Sequence, residues 1–183
     1  MDRKEALGLL GTHLKNENLR KHCLAVEAVM RALARRFGED EALWGLAGLL
    51  HDIDYEWTKG DPARHGIEGA ILLERLGLPE TVVQAVRMHN DRHGLPRETL
   101  LDKALYAVDP VTGLITAAAL IRPDKSLAAV NVPFLLNRFK EKSFARGANR
   151  GQILSCTELG LTLEEFLALG LEAMQGIAAE LGL

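Results

Sequence analysis

The stretch Leu43-Trp44-Gly45-Leu46-Ala47-Gly48-Leu49-Leu50-His51-Asp52-Ile53-Asp54-Tyr55 decides how this chain is read. An apolar helical run ends in an imidazole and a carboxylate side by side. Neighbouring helical residues point about 100° apart, so both can meet one ion only where the helix ends and the chain wraps round them. A carboxylate at the end of such a run enters a dry environment. An unpaired charge there is costly, and a cation is the usual remedy. The stretch therefore predicts a buried helix ending near His51, with two readings of the pair at its end: metal ligands, or a satisfied histidine and a solvated aspartate at a helix C-terminus.

Working outward, apolar residues recur at three and four rather than two, and β-branched runs are sparse, so the chain reads as all-α. Glu5–Leu14 reads as a short amphipathic helix. A second, Asn18–Phe37, carries Leu19, His22, Cys23, Val26, Val29, Met30 and Leu33 on one face. Gly38 ends it, and Glu39-Asp40-Glu41 opens the next with the negative charge a helix N-terminus favours. Further helices are expected at about Pro62–Leu76, Pro79–Asn90 and Glu98–Asp109. Pro110 marks a break beside Asp109, and Val111–Ile121 reads as core. A helix from Val132 carries the basic residues Arg138, Lys140 and Lys142. Another follows from Arg150 to Leu159. The last starts at Thr162, where Thr-Leu-Glu-Glu forms a capping-box pattern with Glu165.

The 183 residues suit one domain. The apolar fraction of 48% and a mean hydropathy of +0.01 describe an ordinary globular chain. No apolar run approaches the roughly 20 residues that cross a bilayer, and the charged start, Met1-Asp2-Arg3-Lys4-Glu5, lacks a signal-peptide core. The expectation is a cytoplasmic protein with no membrane association. Cys23 and Cys156 read as two buried thiols rather than a disulfide. A net charge of −3 argues against broad nucleic-acid binding but leaves room for a local basic pocket.

His22, then His51-Asp52, then Asp109, on successive helices, resembles the HD-domain metal-dependent phosphohydrolases. His65 in His-Gly-Ile-Glu-Gly-Ala and His89 in Met-His-Asn fall between them. That six-ligand order looks like the binuclear members, among them symmetrical diadenosine tetraphosphate hydrolases and GYP-type cyclic dinucleotide phosphodiesterases. Lys142-Ser143-Phe144-Ala145 with Asn149-Arg150, and Leu163-Glu164-Glu165-Phe166, look like a bacterial branch of predicted HD-superfamily hydrolases. The resemblance implies a single-domain helical bundle over residues 1–183, with a core at about 18–122 and a C-terminal helical extension at about 132–183. It also implies metal ligands at His22, His51, Asp52, His65, His89 and Asp109. The sequence departs from many relatives after the His-Asp pair. They continue Ile-Gly-Lys, whereas Asp54 and Tyr55 stand here. The Glu that mononuclear nucleotidase members place at the Tyr55 position is also missing, although Asp54 and Glu56 flank the place.

Imidazole with carboxylate suits a divalent transition ion (Fe, Mn, Zn, Co or Ni) better than Ca. If His65 and His89 complete a second site, Asp52 bridges two ions per chain. Asp52 and Asp54 are then the expected catalytic carboxylates. Tyr55, Lys103, Lys142, Arg146 and Arg150 are the candidates for holding substrate: Tyr55 beside the pair, Lys103 a turn and a half before Asp109, and the others in the basic segment Arg138–Arg150. His13 and His93 match no family position and read as surface residues, with His93 near enough to His89 to touch substrate. The expected partner is a small phosphorylated substrate, a nucleotide among the options, and a homodimer is left open. The expected reaction is hydrolysis of a phosphoester or phosphoanhydride by a metal-activated water. Two competing readings are a di-iron oxygenase on the same ligands and a non-catalytic metal- or nucleotide-binding module.

Overall fold

The computed structural model describes all 183 residues as α-helices joined by turns and short 3-10 segments, with no strand. The helices are α1 Arg3–His13, α2 Glu17–Phe37, α3 Glu41–Leu50, α4 Tyr55–Thr58, α5 Ile67–Arg75, α6 Glu80–Met88, α7 Leu100–Leu120, α8 Val132–Lys140, α9 Arg150–Leu154, α10 Leu163–Gln175 and α11 Ala178–Leu181. The all-α expectation holds. α2 and α7 are the central pair; α3 packs along α2, α6 along α7, and α10 lies across both. One continuous apolar core runs from Ala6 on α1 to Leu181 on α11. Leu33, Leu49, Leu50, Leu105 and Leu114 are each fully buried in it, and burial of such a side chain contributes about 1.5–3 kcal/mol.

Helix starts are set by short polar side chains that accept the otherwise orphaned N–H groups of the first turn. Asn16 accepts from Asn18 and Leu19, Asp40 from Ala42 and Leu43, and Asn149 from Gly151 and Gln152. Thr162 and Glu165 form the reciprocal box expected at α10. Gly38 ends α2 in the left-handed region at φ 71°.

Two glycines of α3 position the site. A Cβ on Gly48 would lie 3.0 Å from the Glu27 Cα and N, and one on Gly45 would lie 2.6 Å from the Arg31 guanidinium. Their absence lets α3 close on the backbone of α2. That approach, three residues before His51, brings the end of α3 against His22 near the start of α2. The Glu27 carboxylate buried at the same contact is neutralised by Arg3 at 2.7 Å and Arg31 at 2.9 Å.

Two boundaries next to the expected ligands differ from expectation. α7 passes through Pro110 without stopping, so Asp109 stands in the middle of a 21-residue helix rather than beside a break. Proline there removes one bond, to the Tyr106 carbonyl on the half-exposed side. The buried apolar face of α7, from Leu101 to Ala119, holds the helix together across the gap. α5 starts at Ile67 rather than Pro62, because Gly66 takes φ +86° and turns the chain. His65 is therefore a turn residue. Both cysteines are free and buried, as expected. No helix is long and apolar enough to cross a membrane.

Candidate metal centre

His22 projects from the first turns of α2, His51 and Asp52 from the end of α3, His65 from the turn before α5, His89 from the end of α6, and Asp109 from mid-α7. The fold brings all six together. His22 Nε2 lies 3.2 Å from His51 Nε2, 3.0 Å from Asp109 Oδ1 and 3.7 Å from Asp52 Oδ2. His65 Nε2 lies 3.1 Å from His89 Nε2 and 3.1 Å from Asp52 Oδ1, and His89 Nε2 lies 3.6 Å from that oxygen. The donors thus form two groups, His22–His51–Asp52 and Asp52–His65–His89, with Asp52 common to both. Asp109 joins the first group, 3.8 Å from His51.

Each of the four imidazoles has its Nδ1 tied to an oxygen. His51 Nδ1 donates to the Gly48 carbonyl at 2.8 Å and His89 Nδ1 to the Val86 carbonyl at 2.6 Å. His65 Nδ1 donates to Asp54 Oδ1 at 2.8 Å. His22 Nδ1 donates to the Thr112 hydroxyl at 3.2 Å, and that hydroxyl donates onward to the Asp109 carbonyl at 2.9 Å. A ring whose Nδ1 carries the proton presents a lone pair at Nε2. Here four such lone pairs and two carboxylates face one another at about 3–4 Å, an arrangement that repels itself unless cations, or protons, occupy the middle. The donor set fits divalent metal in type and in outer support.

The charges respond accordingly. Burial works to lower the His51 pKa, but the neighbouring Asp52 and Asp109 carboxylates overcome it and hold it at about 9. His65 is likewise opposed by burial and raised to about 10 by its hydrogen bonds to Asp52 and Asp54. For Asp52 and Asp109 burial works upward, and the surrounding histidines win and hold both well below the usual carboxylate range. The centre is graded in depth: His51 is fully buried and His89 nearly so, His22 and His65 are partly covered, and Asp109 keeps 31% of its side chain open at the rim.

Above Asp109, His65 and His89 opens a pocket of about 390 Å³ with no apolar wall, completed by Asn90, Asp91, Arg92 and Gln152. Asp91 is engaged by Arg97 at 3.5 Å and by the Tyr106 hydroxyl at 3.0 Å, so Arg92 is the uncommitted cation of the lip. The sequence reading named neither Arg92 nor Gln152. A lone Arg after Met-His-Asn carries no spacing signal, and Gln152 reaches the pocket only because α9 docks on α7.

Several expected roles change. Asp54 is fully buried and accepts from His65 Nδ1, the Gly66 N–H at 2.7 Å and the Gly69 N–H at 2.8 Å. Its oxygens are saturated behind a ligand, so it positions His65 and has no access to a reacting atom. Arg150 is also reassigned. Its guanidinium donates to the carbonyls of Arg138, Phe139, Glu141, Phe144, Ala145 and Ala148, tying up the turn between α8 and α9, and none is left for substrate. Lys142 and Arg146 are exposed on that turn and form no wall of the pocket. Lys103, six residues before Asp109, points about 120° away from it round α7 and is also outside the pocket. Tyr55 does stand at the site, its ring edge-on to His65 with centroids 5.3 Å apart. Glu56 accepts the backbone N–H groups of Lys15 and Asn16, which ties α4 to the start of α2. His93 donates to the His65 carbonyl at 2.7 Å, and His13 packs on Trp57.

Compared with known proteins, residues 19–114 match the family model described as the HD domain, which spans His22 to Asp109 and just over half of the chain. Curated relatives named Ribonuclease Y match about half of the chain. The protein of Lawsonia intracellularis is 31% identical over 104 residues, 57% of this chain and 20% of its own length. That of Thermus thermophilus is 33% identical over 96 residues, 52% and 16% respectively, and that of Deinococcus radiodurans 30% identical over 97 residues, 53% and 17%. The matched region is thus a fifth or less of each of these relatives. No solved structure matches the chain.

Proposed function

Because the chain belongs to the HD-domain superfamily of metal-dependent phosphohydrolases, we propose that it hydrolyses a phosphoester or phosphoanhydride bond of a nucleotide or other small phosphorylated metabolite. The observation that carries this reading is the Asp52 carboxylate shared between two histidine groups, beneath a polar pocket open to solvent. His22, His51, Asp52 and Asp109 would hold one divalent ion, and Asp52, His65 and His89 the other. Bound ions supply charge that acidifies water and withdraws electron density from a phosphoryl group.

The chain's own residues do the rest. The Nδ1 hydrogen bonds fix every imidazole in the tautomer that leaves Nε2 free. Asp109, at the rim and held ionised by His22 and His51, would accept a hydrogen bond from an entering water and orient it. Arg92 and Gln152 present donors to phosphoryl oxygens from the lip, where a guanidinium can give two parallel bonds. Tyr55 offers one neutral donor beside His65, in place of the lysine charge that many relatives bring. Metal analysis of protein purified without chelators, followed by a phosphate-release panel of nucleotides and phosphoanhydrides on wild type and Asp52→Ala, tests the reading. About two ions per chain and loss of release in the variant are expected. Full activity in metal-free protein rules it out.

A further inference from the structure

One wall of the polar pocket is a carboxylate that the fold takes trouble to aim. Asp91 opens the short turn Asp91–His93, just after His89, and its side chain is mostly exposed. The Tyr106 hydroxyl donates to Asp91 Oδ1 at 3.0 Å, and Arg97 Nη2 stands 3.5 Å from the same oxygen. Arg97 is itself fixed. Its guanidinium lies over the Tyr106 ring, 3.6 Å from the centroid, and donates to the Met88 carbonyl at 3.5 Å. Tyr106 precedes Asp109 by three residues on α7 and so shares its side of that helix. The brace therefore holds Asp91 at the rim that Asp109 occupies, and both line the pocket.

Both contacts fall on Oδ1. Oδ2 has no hydrogen bond or ion pair within the protein, so the brace leaves one oxygen for the pocket. Neighbouring Asn90 is fully engaged: its amide donates to the Pro62 and His65 carbonyls, and its oxygen accepts the Arg92 N–H. Arg92 and the Gln152 amide supply the donors that phosphoryl oxygens need. An ionised carboxylate can only accept, and its charge opposes a second anion beside it. A wall built for phosphoryl oxygens alone would not carry it. What suits Oδ2 is a donor on the substrate. A cationic donor there would face Arg92, whereas a hydroxyl is neutral. The pocket has no apolar or aromatic wall on which a flat ring could rest, so the group it holds is a hydroxylated, saturated one.

We propose that Asp91 is a specificity-determining residue: its free oxygen accepts hydrogen bonds from hydroxyl groups on the organic part of the substrate, and its charge turns away a second phosphoryl group. Tyr106 and Arg97 are positioning residues that act through it. The inference rests on the phosphohydrolase reading and narrows it, away from phosphoanhydrides and towards phosphoesters of hydroxylated compounds. A site that hydrogen-bonds a substrate hydroxyl discriminates against the analogue that lacks it, because the site's polar group is then left unpaired. Asp91 keeps solvent contact, so the discrimination is modest, and the Tyr106–Arg97 brace gives it direction.

The test uses the metal-loaded chain with glycerol phosphate, propyl phosphate and pyrophosphate as substrates. Dihydroxypropyl phosphonate and propyl phosphonate serve as calorimetric ligands that are not hydrolysed. Wild type is expected to prefer the dihydroxy member of each pair about fivefold, in kcat/KM and in Kd. Asp91→Ala is expected to bring both ratios to about one. Asp91→Asn removes the charge and keeps the shape, and is expected to raise pyrophosphate hydrolysis relative to propyl phosphate about threefold. Tyr106→Phe is expected to lower both dihydroxy ratios about twofold, and to change neither when added to Asp91→Ala. A role in holding the fold alone would lower every rate and leave the ratios as they are, and that result removes Tyr106 from the proposal. A wild type that turns over these phosphates without a dihydroxy preference, or a preference that survives Asp91→Ala, overturns the inference alone. A wild type that binds and hydrolyses none of the probes overturns the phosphohydrolase reading and the inference with it.

Discussion

The Asp54 carboxylate holds His65 by a 2.8 Å bond to Nδ1 while its other oxygen takes the N–H groups of Gly66 and Gly69. A single buried side chain therefore sets both the ring and the turn that carries it. Gly69 is small for the same reason: a Cβ there would lie 3.2 Å from Asp54 Cγ. Asp54→Asn keeps the shape but has one acceptor where two are used. Either its NH₂ meets the glycine N–H groups donor to donor, or it donates to His65 Nδ1 and forces the proton onto Nε2, where it blocks ligation. Loss of such an outer partner costs roughly 10–100-fold in metal affinity. The expected outcome is a fall from two ions per chain toward one, read by metal analysis after dialysis, with the helical circular-dichroism signal retained.

Metal binding should strengthen with pH. In metal-free protein the folded-state pKa values of His51 and His65 stand at about 9 and 10, above the ordinary 6.5. Protons on these rings stabilise the folded state fully below about pH 6.5, and that stabilisation is lost as pH rises through 9 and 10. Ions replace those protons, so they bind in competition with them. The rise in melting temperature on adding Mn²⁺ is expected to grow steadily from pH 6 to pH 9. A rise independent of pH would mean that the ions bind elsewhere.

Arg150→Ala should act on stability, not on substrate. Six carbonyls of the turn between α8 and α9 lose a charged donor. The expected cost is about 2–3 kcal/mol by urea unfolding, on the scale of one or two charge-assisted bonds lost from a partly buried network. Arg150→Lys should recover little of it, because an ammonium cannot span a fork of carbonyls. KM for a small phosphoester is expected to stay within twofold in both, and a tenfold rise would return Arg150 to the substrate.

Arg92→Ala should do the opposite. The side chain is exposed and makes no ion pair, so unfolding should be unchanged. Removing the lip cation is expected to raise KM about threefold to tenfold, consistent with one partly solvated phosphate contact. The increase should shrink as salt is raised, since screening already weakens the contact in wild type.

The difference between these two arginines shows what a linear reading can reach. Both are cations near polar turns, and nothing in their neighbours says that one faces carbonyls and the other a cavity. The same holds for Asp54, whose place beside the His-Asp pair suggested catalysis until burial showed it saturated behind His65. Pro110 misled for a different reason. Its local preference is to end a helix, and the long buried face of α7 overrides that preference. Thr112, the hydrogen-bond partner of His22, was hidden by the expected break, although it lies one turn after Asp109 on the same helix.

What the order of residues determined alone was the helical class, the capping box that opens α10 and the order along the chain of the six residues that the likeness to the HD-domain family singles out. Those are local properties: periodicity, short polar caps and residue types whose chemistry is the same wherever they sit. Tertiary structure decided which donors share Asp52, which polar groups are used up in holding ligands and turns, and where solvent reaches the centre. Those depend on distances between segments far apart in the chain, set by how closely glycine-bearing helices such as α3 pack on their neighbours, and no local pattern encodes them.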